Sequence, residues 1–172
     1  MSKGAILVWV MAYGGAAVAL FNPFIGLLIY VAFAIIRPEA IWGFALGIGN
    51  NFSLIVALAL LAGWLFRGFG DWRFGRAKGV VLALLGFFCW MIFSAIPAPN
   101  QTEAWTIVQE QAKIVLPFLV GMTTINSIKQ LKYLAWVIVL AHGYVAYELN
   151  LAYFQGMNVV HEQGFGGMDN NC

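Results

Sequence analysis

Five side chains able to carry ions or hydrogen bonds fall on one face of a single apolar stretch. In "EAWTIVQEQAKIVLPFLVGM", Glu103, Thr106, Gln109, Glu110 and Lys113 share a stripe at about 100° per residue, and the stripe runs on to Pro117. Ile107, Val108, Val115 and Leu119 occupy the other faces. An ion facing lipid costs several kcal/mol, so such a stripe must face protein or a water-filled space. One reading is the wall of a cavity that opens outward. The other is that Glu110 and Lys113, three residues apart, neutralise each other. His142, Glu148 and Asn150 sit in a second apolar stretch. His142 and Glu148 lie about 120° apart around a helix there, so they form no single constellation, and His142 reads first as a hydrogen-bonded packing residue. Glu148 lies near the outer end of its stretch, within reach of interfacial water.

The stretches that must position these groups follow from composition. Of 172 residues, 62% are hydrophobic and 9% are charged, against about 25% charged in a soluble domain. A soluble fold of this size has too much surface to hide so many apolar side chains. The expected class is an all-α, polytopic transmembrane helix bundle. No basic run is interleaved with polar helix, which argues against nucleic-acid binding. Cys89 and Cys172 make neither a metal spacing nor a disulfide framework, and Cys89 reads as a small buried hydrophobe. No carboxylate–histidine cluster has metal-ligand spacing, so neither a metal nor a cofactor is expected.

Apolar blocks run over 5–21, 24–36, 52–66, 79–96, 104–122 and 131–154, which gives five to six segments. A span needs about 20 residues, and the second block is short. Asn22-Pro23 joins it to the first as a tight turn or sharp break, because Pro cannot continue a hydrogen-bonded helix. The N-terminal run resembles a signal peptide, but another apolar block follows directly, so it is read as a retained helix. Orientation follows from Lys and Arg in the short loops. "RGFGDWRFGRAKG" carries Arg67, Arg73, Arg76 and Lys78, and "TTINSIKQLK" carries Lys129 and Lys132. Two spans separate these loops, so both are placed in the cytoplasm. "RPEAIWGFALGIGNN", "PAPNQTE" and the Gly-rich tail then face outward with Arg37 as their one basic residue. If the first two blocks each cross, Lys3 lies outside. If they form one span and a re-entrant piece, it lies inside.

Weaker signals add little. "GFGG" lacks the strand and the spacing of a dinucleotide site. Gly43 and Gly47 make a small-residue spacing in a loop, and two Asn-x-Ser/Thr matches are common by chance. The seven Trp residues fall mostly near span ends, as interface anchors do.

The short first hairpin, "RPEAIWGFA", the span ending "AGWLFR", the helix from Trp105 to Lys113 and the closing "GFGGMDNN" together resemble the O-antigen ligase and polymerase superfamily. The likeness is nearest to the O-glycosylation ligases associated with exosortase systems. It covers most of residues 1–172 as the N-terminal transmembrane region of a longer protein, with the family's catalytic outer loop expected beyond it. This chain alone is then expected to be inactive.

The resemblance implies a multi-pass protein of the bacterial inner membrane that moves a glycan from undecaprenyl pyrophosphate to an acceptor hydroxyl, in polysaccharide biosynthesis or protein O-glycosylation. The expected partners are membrane lipid and that lipid-linked glycan. Such a reaction needs cations near the leaving pyrophosphate and a base near the acceptor. Arg37 and Lys113 are assigned to the pyrophosphate. Glu110, Glu148, His161, Asp169 and Asn170 are candidates to line the same cavity. Two other classes fit the polar stripe: a transporter of small solutes or lipid-linked sugars, and a structural subunit of a membrane assembly.

Overall fold

The computed structural model describes residues 3–38 and 52–157. Its elements, in chain order, are helices α1 (Lys3–Phe21), α2 (Pro23–Ile36) and α3 (Phe52–Phe66), a 3-10 turn (Gly75–Ala77) that runs into α4 (Lys78–Ala95), then α5 (Gln101–Thr124) and α6 (Ile128–Phe154). No strand occurs among the described residues. The stretch Gly75–Ala95 and helix α6 are each long and apolar enough to cross a membrane.

Local sequence sets the helix ends. Asn22 accepts a hydrogen bond from the Ile25 amide at 3.3 Å, and Pro23 takes the first helical position, where its missing N–H is no loss. Asn22-Pro23 is therefore an N-terminal cap between two helices. Asn100 caps α5 reciprocally: the Glu103 amide donates to Asn100 Oδ1 at 3.3 Å, and Asn100 Nδ2 donates to Glu103 Oε2 at 2.9 Å. Ser127 Oγ accepts from the Gln130 amide at 3.2 Å and starts α6. In return, Gln130 Oε1 accepts from the Asn126 amide at 2.8 Å.

Helices α1 and α2 form an antiparallel hairpin, and α3 packs on both. The centre of this packing is Ala19, fully buried. A Cβ on Gly63 would stand 2.1 Å from the Ala19 carbonyl oxygen, and one on Gly26 would stand 2.5 Å from the Ala19 Cβ. Both positions require glycine because two backbones meet there. Around this point Leu27, Leu60 and Trp64 join Val81 from α4 and Val115, Leu119 and Val120 from α5 in one buried cluster. A second cluster joins Val8, Ala12, Phe33, Phe52 and Val56 further along the three helices. Helix α5 packs on α2, α3 and α4, and α6 packs on α2.

The two basic loops meet at one end. The Asp71 amide donates to the Thr123 carbonyl at 2.9 Å, and Trp64 Nε1 donates to Thr123 Oγ1 at 2.8 Å. The Arg67 guanidinium donates to the Phe21 carbonyl, which brings the α1–α2 turn to the same end. The antiparallel course of α1 then puts Lys3 at the far end, with Ile36, Phe52 and Gln101.

Cys89 departs from expectation: it is exposed on α4. The reason is that α4 has few neighbours among the described residues. Only Val81 and Ala95 of that helix are buried, so most of its apolar surface faces outward.

The close approach at Gly63 is testable. Gly63→Ala is expected to destabilise the protein by about 3 kcal/mol or more, because backbone cannot yield as a side chain does. Gly86→Ala, whose Cβ meets nothing within 4 Å, serves as control and is expected to leave thermal unfolding in detergent unchanged or slightly raised.

Candidate functional site

At the far end, α2 stops at Arg37. Its N–H donates to the Phe33 carbonyl at 2.9 Å, and its backbone is left-handed at φ 47°. A side chain other than glycine holds that conformation at a cost of about 1–3 kcal/mol, and such positions gather where surrounding structure fixes a residue for use. Pro38 follows and is buried. The Arg37 side chain is exposed.

Beside Arg37 lies a cavity of about 200 Å³. Val8 and Met11 of α1, Ala32, Phe33 and Ile36 of α2, then Pro38 and Tyr144 of α6 line it. All are apolar except the phenol, so the cavity suits an apolar chain or ring and excludes ions from its floor. Tyr144 leads out of it to a charge: its hydroxyl donates to Glu148 Oε1 at 2.6 Å. The two are one helical turn apart on the face of α6 that packs on α2, where Leu134, Val137, Ala141 and Leu149 also lie. An apolar pocket with Arg37 at one edge and a Tyr–Glu pair at another can seat a molecule that has an apolar body and an anionic or hydroxyl head.

The other assigned residues are placed differently. Lys113 Nζ pairs with Glu110 Oε1 at 2.5 Å, and the two side chains are 61% and 62% exposed. Val108, Val115 and Leu119 turn inward from the same helix, so the polar stripe of α5 faces away from the described bundle. The stripe contributes no lining to this cavity. Its first member, Glu103, serves the cap of α5, and Thr106 Oγ1 donates to the Thr102 carbonyl at 2.8 Å.

The height of Lys113 is fixed by Tyr30, whose hydroxyl donates to the Lys113 carbonyl at 2.9 Å. Tyr30 lies about two turns before the end of α2, so Lys113 stands roughly 10 Å deeper than Arg37. The bond to Glu110 draws Nζ one turn back toward the far end. His142 Nδ1 lies 2.9 Å from the Ile138 carbonyl on an exposed part of α6, so it is occupied within its own helix. His161, Asp169 and Asn170 lie outside the described residues.

Tyr144 was not among the residues singled out by sequence. The signal for it was present, since a Tyr four residues before a Glu on a helix meets it directly. The apolar lining carried no such signal, because Val8 or Ala32 looks like any other residue of a hydrophobic block. Among the described residues no three His, Cys, Asp or Glu side chains gather to hold a metal ion.

The chain belongs to a protein family of unknown function, DUF5935, which it matches over residues 3–153. No curated protein matches the chain, and no solved structure does. The matched stretch contains Arg37, Glu110, Lys113, Tyr144 and Glu148.

Removing the donor to a partly buried carboxylate leaves it short of a hydrogen bond. Tyr144→Phe is therefore expected to cost about 1–3 kcal/mol in chemical or thermal unfolding. Tyr147→Phe, at a 62% exposed position, is expected to cost less than half a kcal/mol.

Proposed function

For this member of a family of unknown function, we propose the N-terminal transmembrane part of a ligase-type glycosyltransferase of the bacterial inner membrane. In this reading the described helices and the residues around them supply five to six spans. The basic loops face the cytoplasm, and the far end faces outward. The observation that carries the reading is the apolar cavity beside Arg37, at the end of the bundle opposite the six loop cations.

The chemistry fits a lipid-linked sugar donor. A polyprenyl carrier has an apolar body, for which the cavity offers a dry wall. Its pyrophosphate is a dianionic leaving group, for which Arg37 offers a planar set of donors. Lys113, one to two turns deeper, adds a second cation within the same half of the bundle. An acceptor hydroxyl attacks the anomeric carbon, the glycosyl bond to the pyrophosphate breaks, and the acceptor proton passes to a base. Glu148, held by Tyr144, is the described carboxylate nearest the cavity lining. Cations at a leaving group in a low-dielectric space typically contribute two to three orders of magnitude in rate.

A second reading, a structural assembly subunit, is favoured by one observation. The Glu110–Lys113 pair is exposed on the outward face of α5. A charge at mid-membrane costs about 3 kcal/mol even by insertion scales, so a spanning α5 must have that face covered by protein or water. Both readings require the cover. The ligase reading makes it the remaining wall of the reaction chamber.

The test is transfer by the full-length protein of a glycan from a polyprenyl pyrophosphate donor, together with donor binding. Arg37→Ala is expected to lower transfer about 100-fold and to weaken donor binding, and Lys113→Ala about 10-fold. Wild-type transfer and binding in both variants would remove the pyrophosphate assignment.

A further inference from the structure

The end of the molecule opposite the cavity has its own architecture, which glycan transfer leaves unused. After α3 the chain takes three left-handed residues in succession, Gly68, Phe69 and Gly70, at φ 72°, 64° and 71°. They fold the loop back onto the end of α5. A Cβ on Gly70 would stand 2.5 Å from the Thr123 carbonyl oxygen, so the approach needs glycine. The loop is then latched to Thr123 by the Asp71 amide and the Trp64 indole, as described above. Rings stack along it: Trp64 meets Phe69 edge-on with centroids 5.0 Å apart, Trp72 lies 6.2 Å from Trp64, and Phe74 lies 5.5 Å from Trp72.

This platform fuses two loops far apart in sequence. Residues 67–79 and 123–132 together hold six cations and one acid, Asp71. Asp71 Oδ1 accepts from the Arg73 amide at 3.0 Å, so the acid is turned into its own loop. Arg67 is spent on the Phe21 carbonyl. Arg73, Arg76, Lys78, Lys129 and Lys132 are exposed, and Trp72 is 46% exposed among them. Lys78 is the first residue of α4, and Lys129 is the second of α6. The cations therefore sit where two long apolar helices begin, with amphipathic rings at the same level.

We propose that this end is a docking surface for the headgroups of anionic phospholipids, formed by the fused loops 67–79 and 123–132. The inference rests on the membrane reading above but not on glycan transfer. Phosphate-bearing headgroups meet the guanidinium and ammonium groups, while the rings of Trp72 and Phe74 lie among the upper acyl chains. A lipid surface suits this geometry better than nucleic acid, because the cations ring the ends of apolar helices instead of lining a polar groove. A headgroup held beside Trp72 by a neighbouring cation is expected to be anionic rather than zwitterionic with about five-fold preference. Rigid latching keeps several cations on the same few headgroups.

The experiment reconstitutes the full-length protein in vesicles of equal parts phosphatidylcholine and phosphatidylglycerol, with bromine on the acyl chains of one lipid at a time. Quenching of Trp72 is taken as the difference from Trp72→Phe. Brominated phosphatidylglycerol is expected to quench Trp72 with about five-fold preference over brominated phosphatidylcholine. Arg73→Gln combined with Arg76→Gln, which leaves four cations at this end to maintain orientation, is expected to bring the ratio close to one. Lys113→Gln is expected to leave it unchanged. Equal quenching by the two lipids in the wild type overturns the proposal while leaving membrane insertion intact. Absence of quenching by either lipid overturns the membrane reading as well. Loss of the preference on adding inorganic phosphate, at ionic strength matched with sodium chloride, would assign the cations to a soluble phosphate and overturn lipid docking.

Discussion

The contact of three backbones at Ala19 governs the rest of the molecule. Gly26 and Gly63 have no room for a side chain there, so α1, α2 and α3 are fixed in height as well as in neighbourhood. That height determines where α3 ends. Its last turn delivers Trp64 to Thr123 and Arg67 to the Phe21 carbonyl, which collects three separate connections at one end. Small residues at close helix contacts are a usual device in membranes, where water cannot drive helices together and packing must. The hydrogen bond between Trp64 and Thr123 is buried, and Thr123 Oγ1 in turn donates to the Leu119 carbonyl at 2.9 Å. Among the described residues no buried side-chain nitrogen or oxygen lacks a partner.

Fixing one end also creates the difference between the two. The basic end is closed by rings, caps and backbone bonds. At the far end the described helices differ in reach, because α2 is only 14 residues, about 21 Å along its axis, while α5 and α6 run for about 36 and 40 Å. The cavity lies where the short helix gives out. Arg37 is the residue at which α2 stops, with a left-handed backbone.

Much of this was legible in the residues. Blocks of unbroken hydrophobicity gave the helices, and their observed bounds differ by a few residues because caps at Asn22, Asn100 and Ser127 set the starts. The pairing of the two basic loops followed from counting spans between them. Four things were harder to read. The polar stripe of α5 has a correct periodicity, but periodicity says only that a face is shared, not what the face meets. Glu103 falls on the stripe by periodicity, yet the Asn-x-x-Glu spacing marks it as part of a cap. The exposure of Cys89 depends on α4 having few neighbours, and the number of neighbours is a property of the whole assembly. Gly26 and Gly63 carried no visible signal either, because a helical glycine looks the same in sequence whether it is bare or pressed against a backbone.

Which connections share a side of the membrane is the most direct test of the fused basic end. With Cys89 and Cys172 replaced by Ser, single cysteines at Phe21, Arg76, Asn126, Pro99 and Met157 of the full-length protein would be exposed to a membrane-impermeant maleimide. Intact spheroplasts and inverted vesicles give the two sides. The proposed orientation predicts that Phe21→Cys, Arg76→Cys and Asn126→Cys label only in inverted vesicles, and that Pro99→Cys and Met157→Cys label only in spheroplasts. Labelling of Arg76→Cys and Asn126→Cys from opposite sides would contradict the fused basic end, and labelling of Phe21→Cys from the outside would contradict the hairpin on which it is built.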